Sequence, residues 1–225
     1  MLFEVERPAA KVAPGVAHVP GYWSTPEQHA WVARFRDLAR RASGTPFAMQ
    51  RPQLASGGCM SVHMLNLGHY FDYDGYRYVD RKYGHTVPAL PGALRQAAID
   101  AVCRAAALAG ELAPWAESYL PDMALVNYYP PGAQMGMHQD RYESTRAPIV
   151  SFSIGEEALF RIGGTENRNR PWDEVTLASG DLIVFGGPKR CAFHGVPEVR
   201  PGTAPEGCGL AQGRINVTVR QVFSG

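Results

Sequence analysis

No stretch of this 225-residue chain approaches the roughly 20 consecutive apolar residues that a membrane-spanning helix requires. The start, MLFEVERPAAKVAPG, carries charges where a secretory signal needs an apolar centre, so the sequence reads as cytoplasmic. Cysteine is scarce and scattered. Cys59, Cys103, Cys191 and Cys208 form no CxxC pair, which argues against a zinc knuckle or a dithiol redox motif and suits reduced thiols. An excess of one charge is missing too. With 22 basic against 21 acidic side chains the net charge is +1, without the basic footprint of a tight duplex binder. Any contact with nucleic acid must come from a local patch. Internal repeats and low-complexity runs are absent from the sequence.

What is there is globular: 45% apolar and 19% charged residues, in a length that suits one well-filled core better than two. Residues 1–22, rich in proline and glycine, are expected to wrap the surface as an N-terminal extension. STPEQHAWVARFRDLARRAS then predicts a helix, with Thr25 as N-cap, Pro26 at the first helical position and Gln28 closing a capping box. Trp31, Phe35 and Leu38 form its apolar stripe. A second helix is expected from about Pro91 to Leu108, with Leu94, Ile99, Val102 and Ala105 on one face.

The remainder reads as β structure. CMSVHML (59–65), MALVNYY (123–129), PIVSFSI (148–154), ALFRI (158–162), EVTL (174–177), DLIVF (181–185) and RINVTVRQVF (214–223) are short β-branched and aromatic runs punctuated by Gly, Pro and Asp. No helices alternate with strands after residue 110. The expected fold is therefore mostly β with flanking helices, an antiparallel sandwich or jelly roll rather than a Rossmann-type sheet. PEVRPGTAPEGCGLAQG (197–213) reads as a long surface loop before the last strand.

Within MGMHQDRYE, His138 and Asp140 are two residues apart. In a strand that spacing points imidazole and carboxylate to one side. With a histidine from a later strand they would form the facial set of non-haem Fe(II) oxygenases. His194, in CAFHGVP, is the only histidine after His138. Taken singly, an incidental HxD triplet and a histidine satisfied at a strand end are the better explanations of these residues. In RINVTVR, Arg214, Asn216, Thr218 and Arg220 share one face and Ile215, Val217 and Val219 the other. A solvated edge strand could look like this. Two arginines bracketing Asn and Thr would also suit a clamp for a carboxylate, if that face lines an interior. LVNYYPPG likewise puts Asn127 and Tyr129 on one face.

The order Asn127 and Tyr129, His138 and Asp140, His194, then Arg214 to Arg220 resembles the AlkB family of iron- and 2-oxoglutarate-dependent dioxygenases. GGCMSVHMLNLGH (57–69) and GYRY (75–78) resemble that family's nucleotide-recognition lid. RAPIVSFSIG (146–155), GGTENR (163–168) and GDLIVFGGPKRCAFHGV (180–196) resemble its barrel, so the likeness spans roughly residues 25–223. It implies a single domain with a double-stranded β-helix (jelly-roll) core over 119–223, preceded by helices and lid over 23–118. It implies Fe(II) held by His138, Asp140 and His194, with O2 and 2-oxoglutarate as cosubstrates. Asn127, Tyr129, Arg214, Asn216, Thr218 and Arg220 would form the 2-oxoglutarate site, Arg214 pairing with the distal carboxylate. The implied reaction is oxidative demethylation of N-methylated bases such as 1-methyladenine and 3-methylcytosine, releasing formaldehyde, succinate and CO2.

A base must leave the stack to reach such a site, so the implied partner is alkylated single-stranded DNA, with RNA as a second candidate, acted on by a monomer. Tyr70, Phe71, Tyr73, Tyr76 and Tyr78 would supply stacking surface, or else a flap packed on the core. Phe71, Tyr76, Arg77, Tyr78, Tyr142 and Arg168 are the candidate substrate contacts, with Arg170 a further phosphate contact. Two departures from the family bear on base preference. Tyr142 stands where bacterial members carry an acidic residue, and the lid is short and lacks the expected stacking tryptophan. Three other readings remain open at this point: a related dioxygenase acting on a small molecule or protein side chain, an inactive nucleic-acid-binding relative, and a zinc hydrolase using the same ligands.

Overall fold

The computed structural model describes residues 7–53, 57–72 and 74–223. In chain order its elements are β1 (Ala10–Ala13), β2 (Val16–Val19), α1 (Thr25–Ala42), β3 (His63–Leu67), β4 (Tyr70–Asp72), β5 (Arg77–Val79), β6 (Arg81–Lys82), β7 (His85–Thr86) and α2 (Gly92–Ala106). The C-terminal half follows with β8 (Met123–Tyr129), β9 (Met135–His138), β10 (Ile149–Gly155), β11 (Ala158–Ile162), β12 (Asp173–Leu177), β13 (Leu182–Phe185), β14 (His194–Val199) and β15 (Arg214–Arg220). A major sheet has the order β1-β2-β13-β10-β15-β8-β3, and a minor sheet the order β12-β11-β14-β9. Every pairing among these strands is antiparallel. The expected jelly roll is present.

The major sheet is covered on both faces, unlike the half-solvated sheet common in antiparallel folds. One face packs Val126, Val150, Phe152, Val184, Ile215, Val217 and Val219 against Val32 and Phe35 of α1 and Leu94, Ala98 and Val102 of α2. The other meets the minor sheet, where Tyr129, Ile149, Ile183 and Phe185 lie against Phe160, Ile162 and Val196. Strand alternation therefore sends the odd residues 215, 217 and 219 of β15 toward the helices. The even positions go between the sheets, and all seven residues of β15 are buried.

Several expectations need correction. Residues 1–6 of the expected surface extension lie outside the described residues, and 7–22 do not merely wrap the surface: β2 pairs with β13 inside the major sheet, and Val16 and Ala17 are fully buried. Apolar alternation over only four residues, in a proline-rich setting, hid that strand. The N-cap of α1 is Ser24, not Thr25, and Glu27 closes the capping box in place of Gln28. The Glu27 carboxylate accepts from the Ser24 amide at 2.8 Å and its hydroxyl at 2.6 Å. A charged acceptor at the positive helix end outcompetes an amide one residue later. Gln28 is buried instead, donating to the Trp23 carbonyl at 2.8 Å. On α2, Ile99 is only half-buried, and Ala98 and Ala101 complete the packed face. Finally, 197–199 belong to β14, so the surface loop is shorter than expected.

Candidate active site

The two histidines converge because of register. In the β9–β14 pairing His138 stands opposite His194, and their ring centroids are 4.4 Å apart. This close approach depends on Gly195. A Cβ there would lie 2.8 Å from the Met135 carbonyl oxygen and 3.0 Å from the Gly136 backbone, too tight for any other residue. Asp140 is not on the strand, as the HxD spacing suggested. β9 ends at His138, and Asp140 sits two residues into the following loop. Arg190 Nη1 donates to its carbonyl at 2.8 Å and Arg220 Nη2 to its carboxylate at 2.7 Å, and these bonds turn it toward the histidines.

Ligand-type atoms of His138, Asp140 and His194 all lie within 4.8 Å of one another. Each imidazole Nδ1 faces a backbone carbonyl, His138 that of Gly136 at 2.9 Å and His194 that of Ala192 at 3.0 Å. A carbonyl only accepts, so both Nδ1 atoms carry their protons and both Nε2 lone pairs are free to ligate. Burial, reinforced by neighbouring His194, pushes His138 down to about 4 and keeps it neutral. Burial alone would raise the Asp140 carboxyl, but the Arg220 guanidinium and the histidines hold it well below the usual range. Two neutral imidazoles and one carboxylate on adjacent positions suit a divalent ion such as Fe(II).

The cluster opens into a cavity of about 750 Å³ between the sheets, whose lining includes Asn127, Tyr129, Arg214, Asn216, Thr218 and Arg220. β8 and β15 pair with Tyr129 opposite Arg214 and Asn127 opposite Asn216, so all six expected cosubstrate residues share one wall. Asn216 donates to Ser151 Oγ at 2.6 Å, and Thr218 to Asn216 Oδ1 at 3.0 Å. Arg214 is 1% exposed, its guanidinium 5.2 Å from the Tyr129 ring centre. Nη2 reaches Ser153 Oγ at 2.9 Å, while Nε and Nη1 have no hydrogen-bond partner among the described residues. Burial pulls this guanidinium down, with Tyr129 acting the other way. A buried fork with two idle donors is costly unless an anion completes it, and a carboxylate has the matching geometry. The residues present thus fit both a divalent metal and a dicarboxylate.

At the cavity mouth, Phe71 of β4 lies 5.1 Å from Tyr78 and 4.9 Å from Tyr142, ring centre to ring centre. Phe71, Tyr78 and Tyr142 line the cavity, whereas Tyr76, Arg77 and Arg168 do not. Tyr76, 69% exposed, touches the aromatic group from outside. Arg168 is carried on the 163–172 loop, and Arg170 flanks Trp172 with 5.1 Å between guanidinium and ring. Tyr73 lies outside the described residues. Sequence reasoning passed over Arg190 and left Glu143 unassigned, yet both are buried and ion-paired at 3.1 Å beside Asp140. Neither stretch shows a signal that would have singled them out, since isolated charges in loops ordinarily read as surface.

A jelly roll enclosing this cluster defines the class, and the profile of the "2OG-Fe(II) oxygenase superfamily" matches residues 15–220. The chain is 41% identical over 219 residues to "Alpha-ketoglutarate-dependent dioxygenase AlkB homolog" of Caulobacter vibrioides, covering 93% of this chain and 89% of that one. It is 32% identical over 230 residues to "DNA N(6)-methyladenine demethylase ALKBH1C" of Arabidopsis thaliana, covering 93% of this chain and 49% of that protein. Among solved structures, that titled "The structure of OsALKBH1" superposes with a TM-score of 0.81 at 29% identity, covering 95% of this chain and 100% of that one. The chain belongs to the AlkB family of 2-oxoglutarate- and Fe(II)-dependent dioxygenases. Its cofactor is Fe(II), and 2-oxoglutarate and O2 are its cosubstrates. No helix among the described residues is long and apolar enough to cross a membrane.

Proposed function

We propose that this dioxygenase removes methyl groups oxidatively from N-methylated bases, 1-methyladenine and 3-methylcytosine among them, in single-stranded DNA and also in RNA, as a cytoplasmic monomer. His138, Asp140 and His194 would hold Fe(II). Arg214 would take the distal carboxylate of 2-oxoglutarate through its idle Nε and Nη1, with Tyr129 beside it. Asn127, Asn216, Thr218 and Arg220 would complete the cosubstrate wall. The observation that carries this reading is the buried, half-unpaired Arg214 facing the same cavity as the His/Asp/His cluster.

Fe(II) held by His138, Asp140 and His194 would supply the oxidation in which 2-oxoglutarate loses CO2, with one oxygen atom of O2 entering succinate and the other the methyl C–H bond. The hydroxymethyl group then leaves as formaldehyde. The protein's own work is positional. The Gly136 and Ala192 carbonyls fix the tautomers of the two histidines, Arg220 anchors Asp140, and the sheets exclude water from the reacting face. Phe71, Tyr78 and Tyr142 would receive a base lifted from its strand, since stacking on aromatic faces needs no large basic surface and the net charge is only +1. The Arabidopsis relative, named as a DNA demethylase, supports a nucleic-acid substrate.

Succinate and formaldehyde measured together, with and without a methylated single-stranded oligonucleotide, test the proposal. The oligonucleotide should raise both products in equal amounts, and His138→Ala should abolish both. Wild-type formaldehyde release by His138→Ala would overturn the metal assignment. Succinate formation indifferent to every methylated strand would remove the nucleic-acid substrate.

A further inference from the structure

Glu143 lies three residues beyond Asp140 with its side chain only 1% exposed, and two hydrogen-bond donors and a further guanidinium from separate parts of the fold meet on it. Tyr78 Oη donates to Oε1 at 2.9 Å, Arg220 Nη1 approaches the same oxygen at 3.1 Å, and Arg190 Nη2 lies 3.1 Å from Oε2. Both arginines also hold Asp140. Arg220 reaches its carboxylate at 2.7 Å, and Arg190 donates to its main-chain carbonyl at 2.8 Å. The two carboxylates therefore share the Arg220 guanidinium, while Arg190 ties the Glu143 carboxylate to the Asp140 backbone. Tyr78 belongs to the β4–β5 hairpin, which pairs with neither large sheet, and its ring touches Phe71 at the cavity mouth.

We infer that Glu143 is a positioning residue that couples the β4–β5 hairpin to the Asp140 carboxylate, with the Tyr78 hydroxyl as the point of contact. The inference rests on the reading of Asp140 as a metal ligand. Tyr78 and Arg220 share one carboxylate oxygen, so the phenol fixes where Oε1 sits and hence how the Arg220 fork is divided. Without the hydroxyl, Oε1 loses one of its two donors and Glu143 is drawn toward Arg190. Arg220 then shifts its charge toward Asp140, which weakens that carboxylate as a donor to a cation. A strand that moved the hairpin while seating a base on Phe71 would act on the same contact. Engagement of substrate would thereby reach the metal ligand without touching it.

The test is Co(II) titration of the full chain, followed by visible absorption with 2-oxoglutarate present, on wild type, Tyr78→Phe, Glu143→Gln and the double variant. Far-UV circular dichroism verifies folding. Glu143→Gln should weaken Co(II) by about 10- to 100-fold, the usual cost of losing a group that orients a metal ligand. Tyr78→Phe keeps the ring and its packing, yet should weaken Co(II) by about 3- to 10-fold, although the phenol is no ligand. The double variant should be no weaker than Glu143→Gln alone, because the phenol acts through the carboxylate. Co(II) affinity of Tyr78→Phe within about twofold of wild type would overturn the coupling, as would strict additivity in the double variant. If Glu143→Gln does not fold, the Tyr78→Phe result decides alone. A wild-type chain whose Co(II) binding is indifferent to His138→Ala would overturn the metal reading itself and this inference with it, an outcome distinct from loss of coupling only.

Discussion

Arg220 Nη2 stands 2.7 Å from Asp140 Oδ2, so the last strand of the fold holds the carboxylate of the metal-type cluster as well as lining the cavity. The same guanidinium lies 3.1 Å from Glu143. Both carboxylates are buried, and removing their shared cation leaves negative charge in a low-dielectric interior. Arg220→Met should therefore cost about 3–5 kcal/mol of stability, read by urea unfolding. A loss below about 1 kcal/mol, the range of exposed pairs, would show that water compensates the site.

Arg214 makes the separate prediction for 2-oxoglutarate. Arg214→Met should remove charge-assisted hydrogen bonds each worth about 1.5–3 kcal/mol. The KM for 2-oxoglutarate should rise by about 10- to 100-fold in succinate assays. Co(II) affinity should stay near the wild-type value, since Arg214 makes no contact with the His/Asp/His cluster. An unchanged KM would take Arg214 out of the cosubstrate site.

Gly195→Ala tests the strand approach that joins the histidines. The added methyl would meet backbone at 2.8–3.0 Å, and backbone cannot swing aside. β14 must move from β9, at a cost of about 1–3 kcal/mol, and the His138–His194 pair must separate. Thermal unfolding should fall and Co(II) binding weaken together. Full metal affinity in a destabilised variant would mean that the register tolerates the shift.

For the aromatic mouth, Phe71→Ala should weaken a methylated oligonucleotide by about 1–3 kcal/mol, the contribution of one stacked base. Metal and 2-oxoglutarate binding should be untouched. Fluorescence anisotropy of a labelled strand measures this, and equal affinity would return Phe71 to a packing role.

Asp181 ties the stability of the fold to pH. Its carboxylate, fully buried, accepts from Arg7 at 2.7 and 2.8 Å, from the Gly21 amide at 3.0 Å and from the Ala178 amide at 3.0 Å, and lies 2.9 Å from His18. Burial works to raise this carboxyl, but His18, Arg7 and the amides hold it below its ordinary value. A depressed carboxyl contributes stability that is present above the unfolded value of about 3.9 and lost as pH falls through the lower folded value. Asp181→Asn should therefore be less stable near neutrality, and the gap should close in urea unfolding as pH drops below about 4. A gap independent of pH would assign the effect to packing alone.

Much of this was legible in the primary structure where period and spacing carry the information. β8 and β11 fall on the β-branched and aromatic runs read as strands, and the even face of RINVTVR was visible as a polar set. That the face looks into a cavity was not, because alternation separates two faces without saying which is wet. The helices and the minor sheet cover opposite faces of the major sheet to which β15 belongs, and that sandwiching turns a seemingly solvated stripe into a buried wall. Tyr142, expected as a departure affecting base preference, joins Phe71 at the mouth, a contact across about seventy residues of chain.

By itself, the order of residues determined the two helices, most of the longer strands and an antiparallel β class, which depend on local periodicity, while the converging groups were marked by their resemblance to the AlkB family. Only the tertiary structure decided which charges meet. Asp140 reaches the histidines from a loop rather than a strand because Arg190 and Arg220 draw it there, and both come from more than forty residues away. Glu143 looked like an ordinary loop carboxylate until burial between those arginines made it obligatorily paired. Low dielectric makes such pairing compulsory, and burial is a property of the packed sheets, not of the chain.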